Sequence, residues 1–352
     1  MRAMQEGFYQ EPSVFPERFG RQTGHLAAAG VRVNMPETGK TPDILIIGIG
    51  KAGNSIIDKM WNTGFPTTKI IALDTDQKIL DSTHADLKIL LGNDLNERSG
   101  QENPDESANA VKEGRSAIEL VFKPGVIAFI VAGLCRGSGS GAAPQIAKIA
   151  REKGALVIAL VSLPCVIHGS WKHQLEDYLH HLIDAADSAI VVQNDWILPN
   201  FCVFYPTEVY AKVDIIIRGV LQGLLNSLTP ACLENCDPED FRAIFRHRGL
   251  AIVLHGESDL NVVNTNESVV RNCLKSPSLN IDYHNAGGCF VLITGGNDLN
   301  RFDTQEIATS LTYDMDPHAD VIWSSTIEKD MEGRVRVYAV VTGIGAKRQP
   351  NC

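Results

Sequence analysis

Short, unbroken apolar runs recur from residue 43 onward, and most lead into a stretch whose apolar residues fall at helical spacing. ILIIGIG at 44–50, KIIALD at 69–74, VIAFIV at 126–131 and ALVIALV at 155–161 have the length and composition of strands buried on both faces. The stretches GKAGNSIIDKMWNTG, QIAKIAREKGA and LEDYLHHLIDAAD read as amphipathic helices, and ADLKILLG and SAIVVQND as further strands. PTEVYAKVDIIIRGVLQGLLNSL, starting at Pro206, is long enough for about six helical turns. Beyond it AIVLHG, GGCFVLITGG, ADVIWSSTIE and RVRVYAVVTG alternate with shorter helical stretches. This alternation predicts an α/β fold, and 352 residues suggest about two domains. Residues 1–42 show no sustained period. They contain several Pro and Gly and the aromatics Phe8, Tyr9, Phe15 and Phe19, and read as an extension that is partly mobile or docked.

The candidate chemistry sits where apolar runs end in glycine. After VIAFIV comes AGLCRGSGSGAAP, 132–144, between a buried strand and a helix. Glycines there leave no Cβ wall over the backbone N–H groups, which can converge on an anion in front of a positive helix end. The first strand ends in Gly48-x-Gly50-x-x-Gly53, with Asp74 closing the next strand. That spacing also satisfies a dinucleotide fingerprint, so an NAD-dependent oxidoreductase is a remote alternative; the second glycine run has no place in it. The net charge of −10 argues against nucleic-acid partners, which need a basic face, but leaves room for a nucleotide. The eight cysteines include no C-x-x-C pair, and adjacent His180 and His181 diverge on a helix, so no metal site is expected. Cys232 and Cys236 are spaced to touch if they share a helix. With no signal peptide and no run of 18 apolar residues, a cytoplasmic protein without membrane insertion is expected.

GLCRGSGSGAAP resembles the GGGTGTG…AAP signature of the tubulin/FtsZ superfamily, with Cys135 and Arg136 in place of Gly and Ser138 and Ser140 in place of Thr. GIGKAGNS resembles the archaeal form of the FtsZ first turn, with Lys51 for Gly, and LDTDQKIL resembles NTDAQAL, with Asp74 for Asn. Gly100, Asn103 and Pro104 line up with a phosphate-sensing loop, and Pro164, His168 and Lys172 with PFxxEGxxR. Asn194 matches the Asn of VVxPNxxL, and ENCDPED keeps Asn235, Asp237 and Asp240 of NxDFAD. CLKSPSLNIDY, VIWSSTIEKDMEG and VVTGIG resemble the FtsZ C-terminal domain, so the likeness covers about 43–345.

The resemblance implies a Rossmann-like parallel-sheet GTP-binding domain at 43–205, a central helix at 206–229, a second α/β domain at 230–346 and a tail at 347–352. It implies GTP/GDP with Mg²⁺ carried on the phosphates. The nucleotide contacts would be Gly50, Lys51, Ala52, Gly53, Asn54, Asp74, Arg136, Gly137, Ser138, Gly139, Ser140, Gly141, His168, Lys172 and Asn194. Tyr210 would stack on guanine and Asp214 accept from its edge. Lys51 either approaches the phosphates or points to solvent, and Asp74 needs Lys51, Arg136 or a magnesium-bound water to offset its charge. Asn235, Asp237 and Asp240 would serve the nucleotide of the next subunit, making a GTPase that works in filaments; by themselves Asp237 and Pro238 simply suit a helix start. Partners implied are further copies and a related FtsZ, with a role in cell division or cell shape. Adaptor binding is not carried over, because the chain stops soon after Gly345. The alternative is a divergent paralogue that binds guanine nucleotide but assembles or hydrolyses weakly.

Overall fold

The computed structural model describes residues 43–63, 68–92, 103–134, 137–164, 170–193, 206–229, 236–258, 265–276 and 281–345. In chain order these form β1 (Ile44–Ile49), α1 (Gly50–Asp58), β2 (Thr68–Asp74), α2 (Gln77–Ser82), β3 (Leu87–Leu90), α3 (Pro104–Glu113) and α4 (Arg115–Glu119). There follow β4 (Ile127–Gly133), α5 (Ser138–Glu152), β5 (Leu156–Leu163), α6 (Ser170–Ala185), β6 (Ser188–Gln193) and α7 (Pro206–Ser227). The C-terminal part holds α8 (Pro238–Phe245), β7 (Leu250–Glu257), α9 (Thr265–Leu274), β8 (Gly288–Gly295), α10 (Arg301–Leu311), β9 (Asp320–Ile327) and β10 (Val335–Ile344).

All these strands join one sheet in the order β3-β2-β1-β4-β5-β6-β7-β10-β8-β9. Pairing is parallel from β3 through β7, antiparallel on both sides of β10, and parallel again between β8 and β9. The short parallel pairing of Ala189–Val191 with Leu250–Ile252 fuses the two halves.

Period-2 alternation in β1 sends its side chains to two cores. Ile44 and Ile46 enter one, with α1, α7 and Phe241 and Phe245 of α8; Leu45, Ile47 and Ile49 enter the other, with α3, α5 and α6. A third cluster lies under α9 and α10. On α7 the buried residues Val209, Val213, Ile217, Val220, Leu221, Leu224 and Leu225 follow helical spacing, so this helix lies along the first core. Each side chain fully buried this way contributes about 1.5–3 kcal/mol.

The start of α5 differs from expectation. The GSGSG run is not a loop ahead of a helix at Gln145 but the first turn of a helix beginning at Ser138, with Pro144 inside it. Helix propensity disfavours Gly and Pro there, and close packing overrides it. A Cβ on Gly139 would lie 2.4 Å from the Gly133 carbonyl oxygen, and one on Gly141 would lie 1.7 Å from that of Pro104.

Candidate nucleotide site

Sheet order reverses between β1 and β4: β2 lies to one side of the pair and β5 to the other. Such a switch point opens a crevice beyond the carboxyl ends of the strands. Both glycine turns lead out of it, because Ile49 and Ala132 are register partners at the ends of β1 and β4. Gly50 takes φ +72°, which favours glycine, and a Cβ there would stand 3.0 Å from the Gly139 nitrogen. The starts of α1 and α5 are therefore in contact.

Neither helix has a side-chain cap bond or an acidic residue in its first turn. By contrast, Asn103, Asp237 and Asn300 cap α3, α8 and α10, each of which has an acid in its first turn. Two uncapped positive helix ends at one crevice suit an anion. Lys51, on the first turn of α1, is exposed. Asn103 and Pro104 open α3 where its Pro104 carbonyl packs under Gly141.

Beneath the crevice Asp74 is 1% exposed. One carboxylate oxygen accepts from the Thr75 and Asp76 N–H groups at 2.7 and 3.1 Å and from Ser138 Oγ at 3.4 Å. The other accepts from Asn54 Nδ2 at 3.1 Å, and that amide also donates to the Leu73 carbonyl. Thr75 Oγ1 and Ser138 Oγ lie 3.0 Å apart. Among the described residues Asp74 is held by backbone N–H groups, an amide and a hydroxyl, not by Lys51. The Asn54 side chain bonds beneath the turn, holding α1 to the end of β2.

At the side of the first core, Tyr210 and Asp214 lie one turn apart on α7. Tyr210 is 48% exposed and so is not a core side chain. Asp214 Oδ2 accepts from Lys59 Nζ at 2.5 Å.

The acidic segment lies at the other end of the strands. Asp237 is the N-cap of α8, its side chain accepting from the Glu239 N–H at 2.7 Å, and Pro238 opens the helix. Asp240 follows in the first turn. Phe241 packs against Phe129, Phe245 and Phe290. Arg242 Nη2 donates to the Gly125 carbonyl, just ahead of β4, whereas the glycine turn follows β4. The length of β4, roughly 20 Å, thus separates the acids from the crevice of their own chain. Cys236 precedes α8 and is buried, so the expectation of a helix shared with Cys232 does not hold on its side. Burial first, then the charges of Asp240 and Asp237, push its thiol well above the usual range, leaving it neutral.

A model of the Tubulin/FtsZ family GTPase domain matches residues 43–201, and one of the FtsZ family C-terminal domain matches 249–345. The chain belongs to the tubulin/FtsZ family. It is 35% identical over 308 residues to cell division protein FtsZ 2 of Halobacterium salinarum, covering 86% of this chain and 77% of that protein. It is 31% identical over 313 residues to FtsZ 2 of Methanocaldococcus jannaschii, covering 88% and 81%. Among solved structures it resembles an empty FtsZ dimer of M. jannaschii, with TM-score 0.79, 31% identity and coverage of 88% of this chain and 90% of that one. A GTPγS-bound protofilament of CetZ2 from Haloferax volcanii shares the fold, with TM-score 0.69, 21% identity and coverage of 87% and 94%.

For an FtsZ-family chain the nicotinamide reading falls away, and the geometry says why. A dinucleotide site needs the acid after the second strand to face a ribose, but Asp74 is buried and already accepts from Thr75 and Asp76. Arg136, His168, Asn194 and Asn235 lie outside the described residues, as does the side chain of Lys172 on α6. Sequence reading missed Thr75 and Lys59. The hydroxyl of Thr75 was visible beside Asp74, but no local signal links Lys59 to a carboxylate 155 residues away.

Burial raises the Asp74 carboxyl above its ordinary 3.8, against the lowering effect of the bonds from Asp76, Thr75, Asn54 and Ser138. Between the unfolded and the raised value the native state holds a proton that the unfolded chain has lost, so stability falls as pH rises through that window. The Asp74→Asn variant lacks this contribution. Urea unfolding at stepped pH should show the variant gaining relative to the parent from pH 3.8 upward. A difference that stays flat would mean Asp74 titrates alike in both states.

Proposed function

We propose that this chain binds GTP in the crevice between the β1 and β4 turns, assembles head to tail, and hydrolyses GTP with acidic residues of the adjoining copy. The backbone of Gly50–Gly53 and Gly137–Gly141 would hold the phosphates, with Arg136, His168, Lys172 and Asn194 around them. Tyr210 and Asp214 would hold the base. The family and the two acid-free helix starts support the nucleotide assignment. Mg²⁺ is expected to bind with the nucleotide and neutralise charge on its phosphate oxygens.

The observation that carries the in-trans reading is the separation of α8 from the glycine turns along β4. Asp237 and Asp240, with Asn235 beside them, would orient or deprotonate water for in-line attack on the neighbour's terminal phosphate. A heterologous contact of this kind repeats into a filament unless it closes. The names of the relatives point to cell division, which the chain would serve by assembling with itself or with a related FtsZ. No described helix is long and apolar enough to cross a membrane, and a cytoplasmic filament fits the family.

Measuring GTP turnover per subunit against protein concentration, with magnesium and simultaneous light scattering, tests this. Turnover is expected to rise from near zero above a threshold, together with scattering. A second reading, a relative that holds guanine nucleotide but assembles or hydrolyses weakly, is favoured by the occupation of Asp214 by Lys59. Flat turnover with bound nucleotide would select it.

A further inference from the structure

Lys59 closes α1, the helix that begins at the first glycine turn. Its ammonium crosses to α7 and meets Asp214 Oδ2 at 2.5 Å; the two side chains are 45% and 21% exposed. Asp58 beside it takes the His84 ring and N–H, so Asp214 is the only hydrogen-bonded carboxylate partner of Lys59 among the described residues. Tyr210, one turn before Asp214, is half exposed, so the pair stands at the edge of the surface assigned to the base.

We propose that Lys59 sets the base specificity of this pocket by competing with the purine for Asp214. The inference rests on the assignment of Asp214 as the base-reading carboxylate. Guanine offers that carboxylate two neutral donors, N1–H and N2–H₂. Both bonds would be charge-assisted through the carboxylate, but the bond they must share or displace carries charge on the donor as well. With Oδ2 held by Lys59, the N1–H can still take Oδ1, while the exocyclic amine returns little. Affinity for guanine is therefore held down, and hypoxanthine, which lacks that amine, is discriminated against only weakly. Because the ion pair is partly solvated, the effect is moderate.

The experiment compares GDP and IDP affinities of the parent, Lys59→Met and Asp214→Asn proteins by calorimetry. Lys59→Met should bind GDP about 3- to 5-fold more tightly, the scale of an exposed ion pair, and IDP about as the parent does. Lys59→Arg, which keeps the charge, should behave like the parent. GDP affinity in Lys59→Met that is unchanged or weaker overturns the proposal, as does an equal gain for IDP. The Asp214→Asn protein separates the two levels. If it binds GDP as the parent does, Asp214 does not read the base and both assignments fall. If it binds GDP more weakly while Lys59→Met gains nothing, only the competition is wrong.

Discussion

Alanine at position 141 is expected to cost the protein about 3 kcal/mol of stability, although it adds a single methyl group. The methyl would lie 1.7 Å from the Pro104 carbonyl oxygen, 2.6 Å from its carbon and 2.4 Å from Ser107 Oγ. The serine hydroxyl can rotate away, but the carbonyl belongs to the first residue of α3 and moves only with that helix. Relief therefore requires α3 and α5 to separate, opening the core that holds Ala110, Val111, Ala143 and Ile146. In thermal unfolding the Gly141→Ala protein should melt roughly 5 °C or more below the parent. Gly114→Ala is the control. Its φ is −82° and its methyl would find the Ala110 oxygen at an ordinary 3.4 Å, so its melting point should stay close to the parent's. Equal melting points for Gly141→Ala and the parent would show that the α3–α5 contact yields without cost. Because Gly141 lies in the first turn of α5, the damaged contact also frames the phosphate site, and nucleotide binding should weaken in parallel.

That glycine shows where sequence reading stops. Buried parallel strands are readable because they are nearly continuous apolar runs, and the turns after β1 and β4 are readable from the glycines that end those runs. The start of α5 was not readable, because propensity argues against Gly139, Gly141 and Pro144 in a helix. What overrides propensity is a backbone approach to Gly133 and Pro104, each of which belongs to another segment. The same holds for polar side chains. Asp74 is recognisable in the sequence as a charge needing compensation, but its partners come from its own turn, from α1 and from α5. The capping role of Asp237 was readable, since an Asp followed by Pro specifies a helix start without long-range help. The pairing of Lys59 with Asp214 and the fusion of both halves through β6 and β7 depend on the assembled sheet.

Removing the acidic charges of α8 should abolish turnover while leaving nucleotide affinity intact. Asp237→Ala is a poor probe, because losing the cap costs about 1 kcal/mol and loosens the helix. Asp237→Asn keeps a capping side chain, and Asp240→Asn leaves the cap untouched. Each is expected to lower GTP turnover per subunit by about 10²-fold or more, the scale of a lost general base. GDP affinity should not change, since the acids and the glycine turns lie at opposite ends of β4. Mixing then asks whose nucleotide the acids serve. Asp240→Asn has an intact pocket and lacks an acid; Asp214→Ala, if Asp214 holds the base, has intact acids and an impaired pocket. Alone, each should turn over slowly. In a head-to-tail filament the acids of the second meet the nucleotide of the first, so the mixture should exceed the sum of its parts. Turnover equal to that sum would mean that each chain uses its own acids, and a strand of seven residues would then have to be bridged by a rearrangement of α8. The aromatic contacts of Phe241 with Phe129 and Phe290 oppose such a movement, so complementation between subunits is the expected result.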